Sequence, residues 1–273
     1  FMEKYDLVVI GGGPAGYHAA IELAKKKKKC IVIDEKSLGG TCLHLGCIPS
    51  KSLISSAGLY RNLKKAKDYG ISLNQDFSAD LNLMISQKNK IVSNLEKGIF
   101  NLFKTHGVEF VQGRGEIQEV GLVKVKTIDD TYIQINTRNI LIATGSRPRT
   151  FPSFPIDADK IITSDQAVNL KDIPDRLLVI GGGYIGCELA CFYNEIGSKV
   201  HLVEGLENLL PNLDSDISVY LEREFKKQKI KVLTNEFVTK IDLKADEVLV
   251  QFQNEQELTV DKVLVAIGRS ANS

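Results

Sequence analysis

Leu7-Val8-Val9-Ile10-Gly11-Gly12-Gly13-Pro14-Ala15-Gly16 decides the fold, because the same wording returns as Leu177-Leu178-Val179-Ile180-Gly181-Gly182-Gly183-Tyr184-Ile185-Gly186. In each copy a run of apolar, mostly branched residues reads as a buried strand, the glycines as a turn, and the stretch that follows as a helix. A second short apolar strand then ends on an acid: Cys30-Ile31-Val32-Ile33 before Asp34, and Val200-His201-Leu202-Val203 before Glu204. The step from first glycine to acid has the same length in both copies. Glycine clusters alone are common in turns. Strand, glycine turn, helix and acid at matched spacing, twice over, is a dinucleotide-binding pattern.

Each position has its own physical task. Gly11 and Gly181 make the tight turn, Gly13 and Gly183 let backbone approach a pyrophosphate, and Gly16 and Gly186 let the helix close on the strand. The helix N-terminus adds amides and positive potential. Asp34 and Glu204 are placed to accept hydrogen bonds from ribose hydroxyls. The expectation is an α/β chain of two Rossmann-like units that binds two dinucleotides. An acid at Glu204 repels a 2′-phosphate, and Gly205-Leu206-Glu207-Asn208-Leu209-Leu210 contains no Arg to hold one, so the second site is expected to take NAD.

Composition agrees with a globular chain. Of 273 residues 43% are hydrophobic and 25% charged, and 35 Lys plus Arg nearly balance 34 Asp plus Glu, so no global field argues for nucleic acid or an anionic membrane. No apolar stretch is long enough to span a bilayer, and Tyr5 to Ile10 already reads as a strand rather than a targeting segment. The Lys25 to Lys29 run falls where the first helix should end, as a solvated helix terminus. Residues from about Ser78 to His106 read as a long helix with a stripe of Leu81, Met84, Ile91, Leu95, Ile99 and Leu102. The Pro-bearing stretch Arg147 to Pro155 reads as the crossing between domains 1–150 and 151–273.

Five cysteines, unevenly spaced, make no secreted disulfide framework, and an intracellular, cytoplasmic setting is expected. Cys42 and Cys47 lie in Gly39-Gly40-Thr41-Cys42-Leu43-His44-Leu45-Gly46-Cys47-Ile48-Pro49-Ser50-Lys51. On an ideal helix, positions five apart have Cα atoms roughly 8–9 Å apart, beyond disulfide reach. A bridge would need a distorted helix, which Gly46 and Pro49 permit; on spacing alone, two separate buried thiols are the reading ahead. Cys30, Cys187 and Cys191 fall among apolar neighbours as small core residues. His18, His106 and His201 read as surface or packing residues, no His/Cys cluster has zinc-ligand spacing, and no metal is expected.

The wording Gly-Gly-Thr-Cys-x4-Cys-x-Pro-Ser-Lys, placed just after the first acid, resembles the redox-active segment of the pyridine nucleotide–disulfide oxidoreductase family, which includes dihydrolipoamide dehydrogenase, glutathione reductase and mercuric reductase. Ala143-Thr144-Gly145 is similar to the motif closing the family's first flavin-domain segment, and Val263-Leu264-Val265-Ala266-Ile267-Gly268-Arg269 to the one closing its NAD domain. Glu204, Leu210-Pro211 and the Cys-Ile-Pro-Ser-Lys wording look most like the dihydrolipoamide dehydrogenase branch.

The resemblance implies a three-layer FAD/NAD(P)-binding fold with FAD on the first turn and NAD on the second. It assigns FAD contacts to Gly11, Gly13, Pro14, Ala15, Gly16, Asp34, Glu35, Lys36, Gly40, Thr41, Lys51, Gly115, Ala143, Thr144, Gly145 and Ser146. It assigns NAD contacts to Gly181, Gly183, Tyr184, Ile185, Gly186, Glu188, Glu204, Ala266, Gly268 and Arg269. Cys42 would be the interchange thiol and Cys47 the thiolate against the flavin, with Lys51 stabilising negative charge on the reduced ring and Glu188 holding Lys51. The implied substrate is a free or protein-bound dihydrolipoyl group, the implied partners a second copy in a homodimer and a 2-oxo acid dehydrogenase or glycine cleavage complex. His44 stands where many relatives have Asn, either touching substrate or facing solvent. Ala271 replaces the family's usual Pro. The family pattern continues past residue 273 into more FAD domain and a dimerisation domain bearing a His–Glu pair, so the sequence is expected to be part of a longer chain. The alternatives to the dehydrogenase are another disulfide or metal-ion reductase of the family, or a truncated, non-catalytic NAD/FAD-binding module.

Overall fold

The computed structural model describes residues 4–73 and 76–273. They form two units. The first takes residues up to Pro49, Asn89–Arg147 and Ala271–Ser273; the second takes Ser50–Lys88 and Pro148–Ser270.

The first unit is built on a six-stranded sheet. In spatial order its strands are Tyr132–Asn136, Leu122–Thr127, Glu109–Glu119, Cys30–Asp34, Leu7–Ile10 and Ile140–Ile142. The four around Leu7–Ile10 run parallel, and the rest form an antiparallel meander. Glu109–Glu119 belongs to both parts. Its first half pairs with Cys30–Asp34 and its second half, from Gly113, pairs with Leu122–Thr127.

Side chains on successive strand residues point to opposite faces, and this alternation makes three layers. Leu7 and Val9 pack toward the helical side with Ala20, Ile21, Val32 and Phe103, while Val8 packs toward the meander with Ile31, Ile33, Val123 and Val125. Val8 and Val9 are both fully buried, so the central strand is apolar on both faces, and each such side chain contributes about 1.5–3 kcal/mol.

The second unit repeats the plan. Its five parallel strands run in the order Lys231–Leu233, Lys199–Val203, Arg176–Ile180, Lys262–Val265 and Ile161–Thr163. Leu177 and Val179 face helical residues such as Cys187, Ala190 and Phe192. Leu178 and Ile180 face an antiparallel meander, Val238–Leu243, Val248–Phe252 and Glu257–Val260. The doubled three-layer α/β arrangement agrees with the sequence reading.

The lysine run behaves as expected. The first helix, Pro14–Lys25, ends there; the Lys26 and Lys27 amides bond to Leu23 and Ala24 carbonyls, and Lys27 takes a φ of 60°. The long helix is found at Leu81–His106, started by Asp80, whose carboxylate accepts the Leu83 amide at 3.0 Å. Its stripe needs correction. Leu95 and Leu102 are 44% and 45% exposed, whereas the buried line runs through Leu81, Lys88, Ile99 and Phe103. At 100° per residue Lys88, Ile99 and Phe103 fall about 20° behind, level with and about 40° ahead of Leu81, whereas Leu95 and Leu102 fall about 40° and 60° behind, on the edge turned to solvent. A lysine on the buried line conceals it from a hydrophobicity reading. Lys88 is fully enclosed, its Nζ donating to the Val168 carbonyl at 3.2 Å and Asn169 Oδ1 at 2.5 Å, and burial pushes its pKa down.

Candidate functional site: two glycine cradles and a cysteine segment

In the first unit the turn after Leu7–Ile10 opens the helix Pro14–Lys25. Gly11 has φ 112°, a conformation L side chains avoid, and a Cβ there would overlap the Ala143 carbonyl oxygen. A Cβ on Gly16 would overlap the Gly11 carbonyl oxygen, which is how helix and strand come so close. Pro14 begins the helix without needing its own amide, Ala15 follows it, and no side chain caps the terminus, so the first-turn amides keep their capacity for an anion. Asp34 is held firmly, its Oδ2 accepting the Gly12 amide at 2.6 Å and its Oδ1 the Lys36 amide at 2.8 Å. Glu35 projects to the surface near Arg114, 3.5 Å away.

The second unit builds a cradle on the same plan. Gly181 has φ 109° and abuts the Ala266 carbonyl, Gly186 abuts Gly181, and the helix Tyr184–Ile196 again starts without a side-chain cap. Glu204 accepts the Gly182 amide at 2.6 Å and the Leu206 amide at 2.9 Å. Closure is matched too: the Ala143 amide bonds to the Ile10 carbonyl at 2.8 Å and the Ala266 amide to Ile180 at 2.7 Å. The two third glycines differ slightly. Beyond Gly183 there is open space, while Gly13 faces Gly40, whose φ of 58° brings its Cα up to the turn. Tyr184 is exposed and Ile185 half-buried at the helix start.

Around the first cradle stand the other expected residues of that unit. Gly115 lies on its strand against Ile10 and Ile33. Thr144 donates its hydroxyl to the Asn272 carbonyl at 2.7 Å, Gly145 has φ 70°, and Ser146 follows it. In the second unit Gly268 has φ 108° and accepts the Arg149 amide at 2.9 Å just before Arg269.

The helix is interrupted between the two cysteines, the distortion that a bridge between them would need. A short helix, Gly40–His44, carries Thr41 and Cys42 and ends at Leu45 with φ −134°; a new helix begins at Cys47 and runs to Lys64. A Cβ on Gly46 would press on the Thr41 carbonyl and the Cys42 Cα, so glycine lets the chain fold back over Cys42. Cys42 is half-buried and Cys47 exposed. Tyr17 is close enough to feel Cys42; burial first and the thiolate charge second raise its pKa. The other thiols lie in the core or, for Cys191, half-buried against it: burial pushes Cys187 up to about 12 and Cys191 to about 11, and raises Cys30. His44 neither reaches outward nor stands alone. Its Nε2 lies 2.8 Å from the Leu38 carbonyl and 4.0 Å from Glu96, which also accepts the Ser37 hydroxyl.

Within the second unit Lys51 meets Glu188, with Nζ 2.7 Å from both carboxylate oxygens. These residues lie 137 positions apart in sequence. Two groups escaped the sequence reading. The Gly12 and Gly182 amides hold the acids, a role the repeat of three glycines with an acid beyond could have suggested. The Arg61–Glu195 ion pair left no sequence signal.

Paired dinucleotide cradles on three-layer α/β units, one of them followed by a broken two-cysteine segment, define an oxidoreductase scaffold built for two nucleotides. The chain belongs to the pyridine nucleotide-disulphide oxidoreductase family, whose model matches residues 5–273. It is 38% identical over 275 residues to dihydrolipoyl dehydrogenase 1, mitochondrial, of Arabidopsis thaliana, covering 98% of this chain and 54% of that one. It is 41% identical over 272 residues to dihydrolipoamide dehydrogenase of Chaetomium thermophilum, covering 97% and 54%. Among solved structures, LpdA from Mycobacterium tuberculosis superposes with a TM-score of 0.90 at 29% identity, over 97% of this chain and 59% of that one. The HOCl-induced flavoprotein disulfide reductase RclA from Escherichia coli, solved as a Cu(II) complex, gives 0.85 at 29%, over 100% and 58%. The chain thus spans little more than half the length of the relatives it matches. Family membership implies FAD and NAD(P) as the bound dinucleotides, and the two uncapped, glycine-lined helix starts fit a pyrophosphate each. No described helix is long and apolar enough to cross a membrane.

Proposed function

We propose that this chain is the dinucleotide-binding part of a flavin-dependent dihydrolipoamide dehydrogenase that oxidises a dihydrolipoyl group and passes the electron pair to NAD+. The observation that carries the reading is the helix break at Leu45 and Gly46, which sets Cys42 and Cys47 on separate helices directly beyond the first cradle.

In the proposed reaction a Cys42–Cys47 disulfide is the oxidant. A substrate thiolate attacks Cys42 Sγ, the Cys42–Cys47 bond breaks, and Cys47 leaves as a thiolate. The second substrate thiolate then displaces Cys42 from the mixed disulfide. The lipoyl disulfide closes, both cysteines are reduced, and the two substrate protons pass to base. When bound in the first cradle, FAD supplies the two-electron relay between this dithiol and the nicotinamide, chemistry no side chain offers. Asp34 and Glu204, each held by two backbone amides, orient the two riboses, and the acid at Glu204 favours NAD over NADP. Lys51 would be a fixed cation that favours nearby negative charge, with Glu188 holding its Nζ.

With that activity go a homodimer, service to a 2-oxo acid dehydrogenase or glycine cleavage complex, and a cytoplasmic setting. A second reading, a reductase of another disulfide or of a metal ion, draws support from the likeness to RclA.

The test is the visible absorption spectrum of the purified protein before and after dihydrolipoamide, then NAD+. A flavin spectrum that gains a long-wavelength charge-transfer band, reversed by NAD+, is expected. A flavin-bearing protein whose band never forms with dihydrolipoamide, but whose reduced flavin is reoxidised by glutathione disulfide or Cu(II), would establish the second reading instead.

A further inference from the structure

The helices Cys47–Lys64 and Tyr184–Ile196 carry Lys51 and Glu188 near their starts, and both residues belong to the second unit. Lys51 is 60% and Glu188 33% exposed at the side chain. An ion pair so open to solvent contributes little and cannot by itself set the register of two helices.

Further along the same helices stands a different pair. Arg61 Nη1 donates to Glu195 Oε1 at 2.5 Å; the Arg61 side chain is 45% exposed, but that of Glu195 is only 5% exposed. Lys64 Nζ donates to the Glu195 main-chain carbonyl at 3.2 Å, satisfying an acceptor in the last turn of its helix. The Cys191 thiol also donates to Glu195 Oε1, at 3.7 Å. A carboxylate with this little solvent depends on its partner far more than Glu188 does. From Lys51 to Arg61 is about 15 Å of helix and from Glu188 to Glu195 about 10 Å, so the two contacts join the helices at separated points.

We propose that Arg61 and Glu195 are positioning residues that fix these helices in the register where Lys51 meets Glu188. The pair acts through Lys51 and does not touch the reacting atoms. The proposal rests on the function above only for what Lys51 does; the register claim stands on the geometry alone.

Two measurements separate those claims. The first needs no cofactor: the rate at which trinitrobenzenesulfonate modifies Lys51, followed by peptide mass spectrometry and normalised to exposed Lys171. The variant is Arg61→Met combined with Glu195→Gln, which removes the buried charge together with its partner so that the fold survives; Arg61→Lys is the conservative control. Lys51 modification is expected to rise roughly two- to fivefold in the double variant, the factor that corresponds to losing an exposed pair, and to stay near wild type in Arg61→Lys. An unchanged Lys51 rate in a folded double variant overturns the proposal. If the double variant does not fold, Glu195→Gln alone is used, with the same expectation and the same refutation.

The second measurement uses the flavin-loaded enzyme. The double variant should lower kcat about tenfold or more with KM unchanged, because Lys51 is misplaced while the substrate-binding surface is intact. Wild-type kcat beside a raised Lys51 modification rate would overturn the role given to Lys51, whereas wild-type kcat with an unchanged Lys51 rate and a lower melting temperature would reduce the pair to a structural role and overturn the proposal. An enzyme that does not oxidise dihydrolipoamide at all would overturn the proposed function, and the Lys51 modification result would still decide the register claim.

Discussion

Gly183 and Gly186 stand three residues apart in one turn, yet the structure gives alanine opposite fates at the two. Gly186 sits where a Cβ would overlap the Gly181 carbonyl oxygen and press on Val179. Backbone cannot yield as a side chain can, so Gly186→Ala should cost about 3 kcal/mol or more of folding stability, the upper end of overpacking costs. Gly183 has φ −72° and ψ 176°, ordinary extended backbone, and no heavy atom lies within 4 Å of its ideal Cβ. Gly183→Ala should therefore leave stability within about 0.5 kcal/mol of wild type. If that space is the approach path of a pyrophosphate, the same methyl should weaken NAD+ binding at least tenfold, or about 1.4 kcal/mol. Urea unfolding midpoints measure the first effect and isothermal titration with NAD+ the second. A Gly183→Ala protein that binds NAD+ as tightly as wild type would refute the assignment of this turn to the pyrophosphate. A Gly186→Ala protein of wild-type stability would refute the packing argument.

Other outcomes follow from the same structure. Glu204→Arg should weaken NAD+ and improve NADP+ binding, since it replaces the amide-held carboxylate proposed to meet the ribose with a cation; unchanged affinity for both would remove Glu204 from the site. In native protein reduced with dithiothreitol, iodoacetamide at pH 8 should label exposed Cys47 well before Cys187 and Cys191, whose pKa values near 12 and 11 leave about one thiol in a thousand or fewer ionised. Early labelling of Cys187 would show that its burial is not as described. His201 has its pKa lowered, first by burial and then by Lys231, and its Nδ1 has no hydrogen-bond partner. The unfolded chain therefore binds a proton more readily than the native one, and stability should fall as pH drops below about 6.5, with the loss complete below the folded-state pKa. His201→Leu should flatten that decline in urea midpoints measured between pH 7.5 and 5; an equal slope would assign the decline to other groups.

Much of this molecule is readable along the chain because the relevant spacing is local. Strand alternation placed Leu7 and Val9 on one face and Val8 on the other, and the same rule served Leu177, Leu178 and Val179. The glycine at each position of the turn answers a steric demand set within a few residues, so the doubled cradle was legible from the repeat alone. The five-residue separation of Cys42 and Cys47 required a helix break if the two were to approach, and Gly46 supplied the means.

What the tertiary structure alone decided concerns partners distant in sequence and burial that composition conceals. Nothing local distinguishes Glu195 from any other helical acid; only the packing of two helices, 134 positions apart at the contact, makes it a buried carboxylate paired with the exposed Arg61. Lys88 reads as a surface residue until its neighbours enclose it, and Leu95 and Leu102 read as core until the line of burial passes beside them. His44 finds the Leu38 carbonyl because the chain turns back on itself at Gly39 and Gly40. Periodicity and covalent spacing are properties of the chain, whereas burial and pairing belong to the three-dimensional arrangement, because water is excluded and charges are matched only where separate elements meet.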